Sequence, residues 1–317
     1  MKRLLLAPLF TILFIAGFVT WFYISIQPAS RNNKFESFII TKGASASQVG
    51  NKLQSAGFVK SALAFKIYLQ FTGQAGSLPA GEFRLSPSLS LFQVVQTIFK
   101  GPVELWVTIP EGLRREEIAK RFSQSLDKDE AFEDEFLIAS KNKEGTLFPD
   151  TYLFAKEASA SAIVSRMTSI FNSKTADLTP QNTDLTTQEI IILASLIERE
   201  TKTDEERPVV AGILMNRLGV GMALQVDAAV QYAVGTSSNW WPILTKEDIA
   251  SASKFNTYKY PGLPPSPIAN PGLSSLRAAF SPKTNDYWYY IHDTDGLIHY
   301  AKTLEEHNAN VRKYLTR

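Results

Sequence analysis

Two glutamates, Glu198 and Glu200, stand two positions apart in the stretch LIERETKTDEER (196–207), where a long apolar run turns abruptly polar. A carboxyl group kept neutral near physiological pH can hand a proton to a leaving group, and burial keeps it neutral because desolvation penalises the charged form. The segment Thr186 to Lys202 predicts a helix, opened by a Thr186–Glu189 capping box with Leu185 and Ile190 as a hydrophobic staple. Its body, IIILASLI, is apolar nearly all round, which predicts a helix at the centre of a domain. At 100° per residue Glu200 lies within about 60° of Leu193, Leu196 and Ile197, so its carboxylate should leave the helix on an apolar face. Glu198 points the other way and precedes Lys202 by four residues, the spacing of a surface ion pair. Glu200 is therefore the candidate acid, against the plain alternative that glutamates at helix ends are commonly solvated.

The flanking segments could complete a site. ERPVVAGILMNRL (206–218) predicts a second helix with Pro208 in its first turn and Gly219 and Gly221 as stops, carrying Asn216 and Arg217 at its polar end. MALQVDAAVQYAVG (222–235) places Gln225 and Asp227 just ahead of another helix, where Asp227 reads equally well as an ordinary N-cap. The proline-rich KFNTYKYPGLPPSPIANPG (254–272) fits neither a regular helix nor a central strand. Its Asn256, Tyr258 and Tyr260 suit a sugar, with flat rings for C–H faces and an amide for hydroxyls. EGTLFPDTYLF (144–154) is too irregular for a helix and too apolar for a free loop, and either packing or a role in lining a site would explain it. Trp240 and Trp241 could form a further sugar platform or simply be buried. DYWYYIHDTDGLIHYA (286–301) predicts a hairpin turning at Asp293 to Gly296, followed by a closing helix in TLEEHNANVRKYL. DTDG lacks the remaining ligands of a calcium loop, and the three histidines match no zinc spacing, so no metal and no cofactor is expected.

The whole chain bounds these readings. Its 317 residues are 44% hydrophobic and 20% charged, enough for a sizeable core and more than one domain. A formal charge of +2, with no basic stripe, gives no reason to expect nucleic acid as a partner. Absent cysteine excludes disulfides and thiolate metal sites. Leu4 to Ile26 is uncharged and long enough as a helix to span about 30 Å of hydrocarbon, with Trp21, Phe22 and Tyr23 as an aromatic belt. Lys2 and Arg3 precede it, which predicts a single-pass anchor in the cytoplasmic membrane and export of everything after about Gln27. The expected fold class is α+β: a transmembrane helix (residues 1–27), a linker and small α/β module (28–101) and a mixed α+β domain built on the buried central helix (102–317). The module's elements are a Ser45- or Ser47-capped helix, a helix over SALAFKIYLQFTG, a GEFRL strand and a helix over SLFQVVQTIFKG.

Taken together, LIERET, ILMNRLGVGMALQVDAAVQY, FNTYKYPGLPPSPIANPG and YWYYIHDTDGLIHYAKTLEEHNANV resemble the MltG/YceG-type endolytic murein transglycosylases. The likeness covers essentially the whole exported chain, including a LysM-like module at about residues 36 to 101. It implies cleavage within nascent peptidoglycan strands at the MurNAc–GlcNAc bond, leaving 1,6-anhydroMurNAc ends, with Glu200, the second glutamate of the family's E-x-E-T motif, as general acid and then base. It implies sugar-binding roles for Asn216, Gln225, Asp227, Asn256 and Tyr258, and peptidoglycan, the membrane and cell-wall synthases as partners. Two other readings stay open, a membrane-anchored glycan hydrolase with the same Glu200 acid but water as nucleophile and a non-catalytic wall-binding scaffold, and so does a role for Asp227 as a second catalytic carboxylate.

Overall fold

The computed structural model describes residues 6–315, with side chains described from residue 13 onward. The chain divides into two compact units, Met1–Val107 with Tyr152–Glu157, and Thr108–Thr151 with Ala158–Arg317.

The first unit opens with helix α1 (Leu6–Ile26), followed by β1 (Glu36–Ile40), α2 (Ala46–Ser55), α3 (Ala62–Phe71), β2 (Gly81–Leu85), α4 (Leu91–Phe99) and β3 (Glu104–Thr108). Ser45 and Ser90 each close a capping box, with Gln48 and Gln93, at the starts of α2 and α4. The sheet runs β1-β2-β3-β4, and its last strand, β4 (Thr151–Ala155), comes from the DTYLFA segment. That strand is absent from the sequence reading, which left 144–154 irregular and set a boundary near Pro102. Thr151 to Ala155 alternate too weakly to announce a strand, and only the return of the chain to the sheet makes them one. The expected membrane span begins at Leu4, outside the described residues. Among the described residues no helix is long and apolar enough to cross a membrane. Trp21 and Phe22, expected as belt residues, pack with Ile26 against the core of Phe65, Leu53 and Ile98, while Tyr23 stays exposed.

The second unit is mostly helical: α5 (Arg115–Leu126), α6 (Glu130–Ala139), α7 (Ala160–Thr175), α8 (Thr187–Glu200), α9 (Glu206–Gly219), α10 (Asp227–Val234), α11 (Lys246–Ile249) and α12 (Leu273–Phe280). The hairpin β5 (Tyr289–His292) and β6 (Ile298–Ala301) and helix α13 (Leu304–Tyr314) close it. Thr186 caps α8 as expected: its hydroxyl accepts from the Glu189 amide, and the Glu189 carboxylate accepts in return from the Thr186 amide. Ile190 to Ile197 are all buried, packed by α9, α10 and α12, so the apolar run forms the central helix of this unit. The hairpin turns where expected: the Asp293 carboxylate accepts from the amides of Asp295 and Leu297, and Gly296 takes φ +85°.

Gly212, in the interior of α9, lies under the segment that leads into β5. A Cβ there would overlap the Lys283 carbonyl and the Asn285 side-chain amide, and the segment is tied to α9 by the Lys283 N–H and Asn285 Nδ2, which donate to the carbonyls of Pro208 and Val209. Replacing a helical glycine by alanine ordinarily stabilises by about 1 kcal/mol. Here Gly212→Ala should instead destabilise by roughly 1–3 kcal/mol through overpacking, read as a lower urea midpoint with unchanged slope.

Candidate active site

The buried stripe of α8 ends at Glu200, and the chain around that end forms a cleft of about 360 Å³. Five further segments face it. Arg217 comes from the last turn of α9, Gln225 and Asp227 from the entry to α10, Tyr258 from the proline-rich arm, Tyr289 and Tyr290 from β5, and His307 from α13. Tyr290 donates its hydroxyl hydrogen bond to Glu200 Oε2 at 2.7 Å. Among the described residues the Glu200 carboxyl has no other hydrogen-bond partner, so Oε1 is left for whatever enters the cleft. Opposite, Tyr258 donates to Asp227 Oδ1 at 2.5 Å. Arg217 is buried at the back, its Nε and Nη1 donating to the carbonyls of Trp288 and Leu224 at 2.8 and 2.6 Å.

Burial raises the Glu200 pKa to about 7; the charge of Asp227 adds to the rise, while the Tyr290 hydrogen bond, Arg217 and Arg199 oppose it. Burial likewise raises the hydroxyls of Tyr290 and Tyr258, which stay protonated donors. The His307 imidazole is pushed down by burial and by Arg217, and its buried Nδ1 has no hydrogen-bond partner among the described residues. The cleft thus holds one proton-bearing carboxyl, a second carboxylate and a fixed cation, the components of acid catalysis next to a developing positive charge.

Three of the five residues expected to contact sugar, Gln225, Asp227 and Tyr258, line this cleft with Glu200. Asp227 is the first residue of α10 rather than its cap: Val226 holds the cap position, and no side chain caps the helix. Asn216 and Asn256 lie outside the cleft lining, because backbone carbonyls take up their amides. Asn216 Nδ2 donates to the carbonyls of Asn285 and Tyr287, and fully buried Asn256 donates to those of Ile249 and Ser251. Asn256 Oδ1 also accepts from the amide of Tyr258, so it shapes the loop that presents the tyrosine. Glu198 is not a surface partner of Lys202. Its side chain is buried, 3.7 Å from Arg207, and accepts from the amide of Gly272 at 2.9 Å. The tryptophans are engaged in packing: Trp241 lies under Arg199 and donates to Glu117, and Trp240 lies beside Arg114.

The family model described as YceG-like matches residues 38–313. The chain belongs to the YceG-like family. It is 31% identical over 92% of its length to the endolytic murein transglycosylase of Bacillus subtilis (strain 168), covering 88% of that protein. It is 29% identical over 92% of its length to the endolytic murein transglycosylase of Streptococcus pneumoniae D39, of which it spans only 60%. The crystal structure of a yceG-like protein from Listeria monocytogenes superposes with a TM-score of 0.56 at 29% identity, covering 87% of this chain and 99% of that one.

This YceG-like chain also brings to the cleft residues that sequence reasoning did not select: Arg217, Tyr289, Tyr290 and His307. Arg217 was visible as a charge at the end of an apolar helix. The other three belong to the hairpin and closing helix, some 90 positions or more from Glu200, and nothing local in the sequence links them to it.

Glu200 sets a pH dependence of stability. Its folded-state pKa, about 7, lies above the ordinary 4.5, so the folded protein holds a proton that the unfolded chain has released. That contribution is complete below about pH 4.5 and is lost as pH rises through about 7. Buried Glu144, raised to about 8, acts in the same direction. Denaturant unfolding between pH 5 and 8 should show falling stability, and Glu200→Gln should make the fall shallower by up to ~1.4 kcal/mol per pH unit. A slope unchanged by the substitution would mean that Glu200 is ionised throughout.

Proposed function

We propose that this chain is an endolytic murein transglycosylase in which Glu200 is the acid and then the base. The observation that carries the proposal is a carboxyl at the end of a buried helix, raised to about 7 and open to a polar cleft on one oxygen. Glu200 protonates the glycosidic oxygen as the C1–O bond breaks. Its carboxylate then takes the proton from the C6 hydroxyl of the same muramyl residue as that oxygen bonds to C1. The acid is regenerated and no water is consumed. One carboxyl suffices because the nucleophile is already tethered to the sugar, at an effective concentration that no free water matches. Asp227, held by Tyr258, supplies negative charge for the oxocarbenium-like state, and Gln225 contributes polar contacts beside it. The relatives' names agree with this chemistry.

A hydrolase reading has one observation in its favour, the second carboxylate Asp227 in the same cleft. Product mass separates the two, since an anhydro end is lighter than a hydrolysed end by one water. The uncharged run Leu4 to Ile26, behind Lys2 and Arg3, supports a single-pass anchor in the cytoplasmic membrane with both units outside. The serine-capped helices α2 and α3 between the antiparallel strands β1 and β2 support a LysM-like module. An anchored enzyme of this kind would meet newly exported strands beside the cell-wall synthases.

On purified uncross-linked glycan, wild type should release anhydro-ended fragments. Glu200→Gln should lower kcat/KM by about three orders of magnitude or more, with folding retained by circular dichroism. Release that survives the substitution would fit a scaffold or another acid. Since the acid must be protonated, kcat/KM should fall above about pH 7. Tyr290→Phe removes a hydrogen bond that lowers the Glu200 pKa, so the falling limb should move to higher pH.

A further inference from the structure

Helix α8 has a cavity at each of its ends. Glu200 faces the cleft at one end, and Gln188, in the first turn, lines a second cavity of about 440 Å³ at the other. Between the two residues the helix advances about 18 Å at 1.5 Å per residue. Helix α10 makes the same connection over a shorter distance, with Asp227 in the cleft and Tyr232 in the second cavity. The two cavities are therefore joined by one packed pair of helices.

The second cavity sets cationic side chains beside apolar wall. Its charged side chains are Lys141, which has no ion pair among the described residues, and Arg115, which is 3.3 Å from Glu116. Tyr232 and Pro267 supply apolar wall, and Gln188 is exposed at the rim. Glu144 lies buried in the lining, its carboxyl accepting from Asn270 Nδ2 at 2.6 Å, the Arg115 amide at 3.1 Å and the Tyr232 hydroxyl at 3.3 Å. Burial raises its pKa to about 8, with the charge of Glu116 adding to the rise and the Arg115 amide opposing it, so at neutral pH it offsets little of the cationic charge. An extended peptide covers 3.3–3.6 Å per residue, so about five residues span the distance along α8.

We propose that this cavity is a subsite for the carboxylate-bearing end of a short acidic peptide carried by the glycan under cleavage at Glu200. The inference rests on the transglycosylase reading and adds a recognition element to it: a peptide on the strand whose carboxylate end is free. Lys141 supplies the charge, Gln188 the hydrogen bonds, and Tyr232 and Pro267 the apolar face.

The test compares uncross-linked, peptide-bearing strands with the same strands stripped of peptide by an amidase, using the full-length enzyme. Wild type should cut the peptide-bearing strands with the higher kcat/KM, and Lys141→Glu should reduce that ratio roughly fivefold or more, chiefly through KM. Equal cutting of the two substrates by wild type, or a ratio unmoved by Lys141→Glu or by Gln188→Glu, overturns the proposal. Binding is read separately, by titrating the pentapeptide L-Ala-γ-D-Glu-L-Lys-D-Ala-D-Ala into the Glu200→Gln protein. Saturable binding that Lys141→Glu weakens supports the subsite even if neither substrate yields anhydro ends, in which case only the transglycosylase reading fails. Absence of saturable binding overturns the subsite whatever the activity.

Discussion

The second unit depends on one energetic conflict, a carboxyl group placed where water is scarce. Glu200 ends a helix in which Ile190 to Ile197 are all buried, and desolvation is the largest influence on its protonation. An isolated ionised carboxylate would be strongly disfavoured there. The surroundings resolve the conflict only in part: Tyr290 donates one hydrogen bond, and Arg217 and Arg199 favour the charge, while Asp227 opposes it. The balance falls close to neutrality, where the group can both give and accept a proton. A stronger set of donors would have left a fixed anion, and a wholly apolar pocket a permanently neutral acid.

Much of the remaining fold serves to hold that balance. The proline-rich arm is ordered by asparagines whose amides grip the main chain: Asn256 fixes the turn that presents Tyr258, and Asn270 ties Leu113, Leu147 and Glu144 together. Asn216 does the same for the approach to β5, and thereby for Tyr290. These side chains support the cleft from behind. Glu198, two residues before the acid, is bound to Arg207 and to the Gly272 amide, which joins α8 to α9 and to the start of α12.

The sequence revealed most where periodicity and capping chemistry are local. The capping box at Thr186, the cap of α2, the β5–β6 turn and the buried character of α8 all follow from residues within one or two turns of each other. Periodicity also singled out Glu200 over Glu198, and the structure places Glu200 in the cleft and Glu198 in an internal ion pair. Local reasoning failed where the partner lies far along the chain. A polar residue type suited to sugars, as at Asn216 and Asn256, cannot reveal that backbone carbonyls already occupy its amide. Nor could residues 144–154 announce that Glu144 is a buried anchor while Thr151 to Ala155 return to a sheet begun more than a hundred residues earlier.

Arg217 joins two functions that are usually separate. One guanidinium braces the loop before α10, through Leu224, and the chain entering β5, through Trp288, while also acting electrostatically on Glu200. Any displacement of either loop moves that charge relative to the acid, so mechanical breathing of the walls is transduced into acidity. The readiness of the proton to leave thereby depends on where those two loops hold the guanidinium.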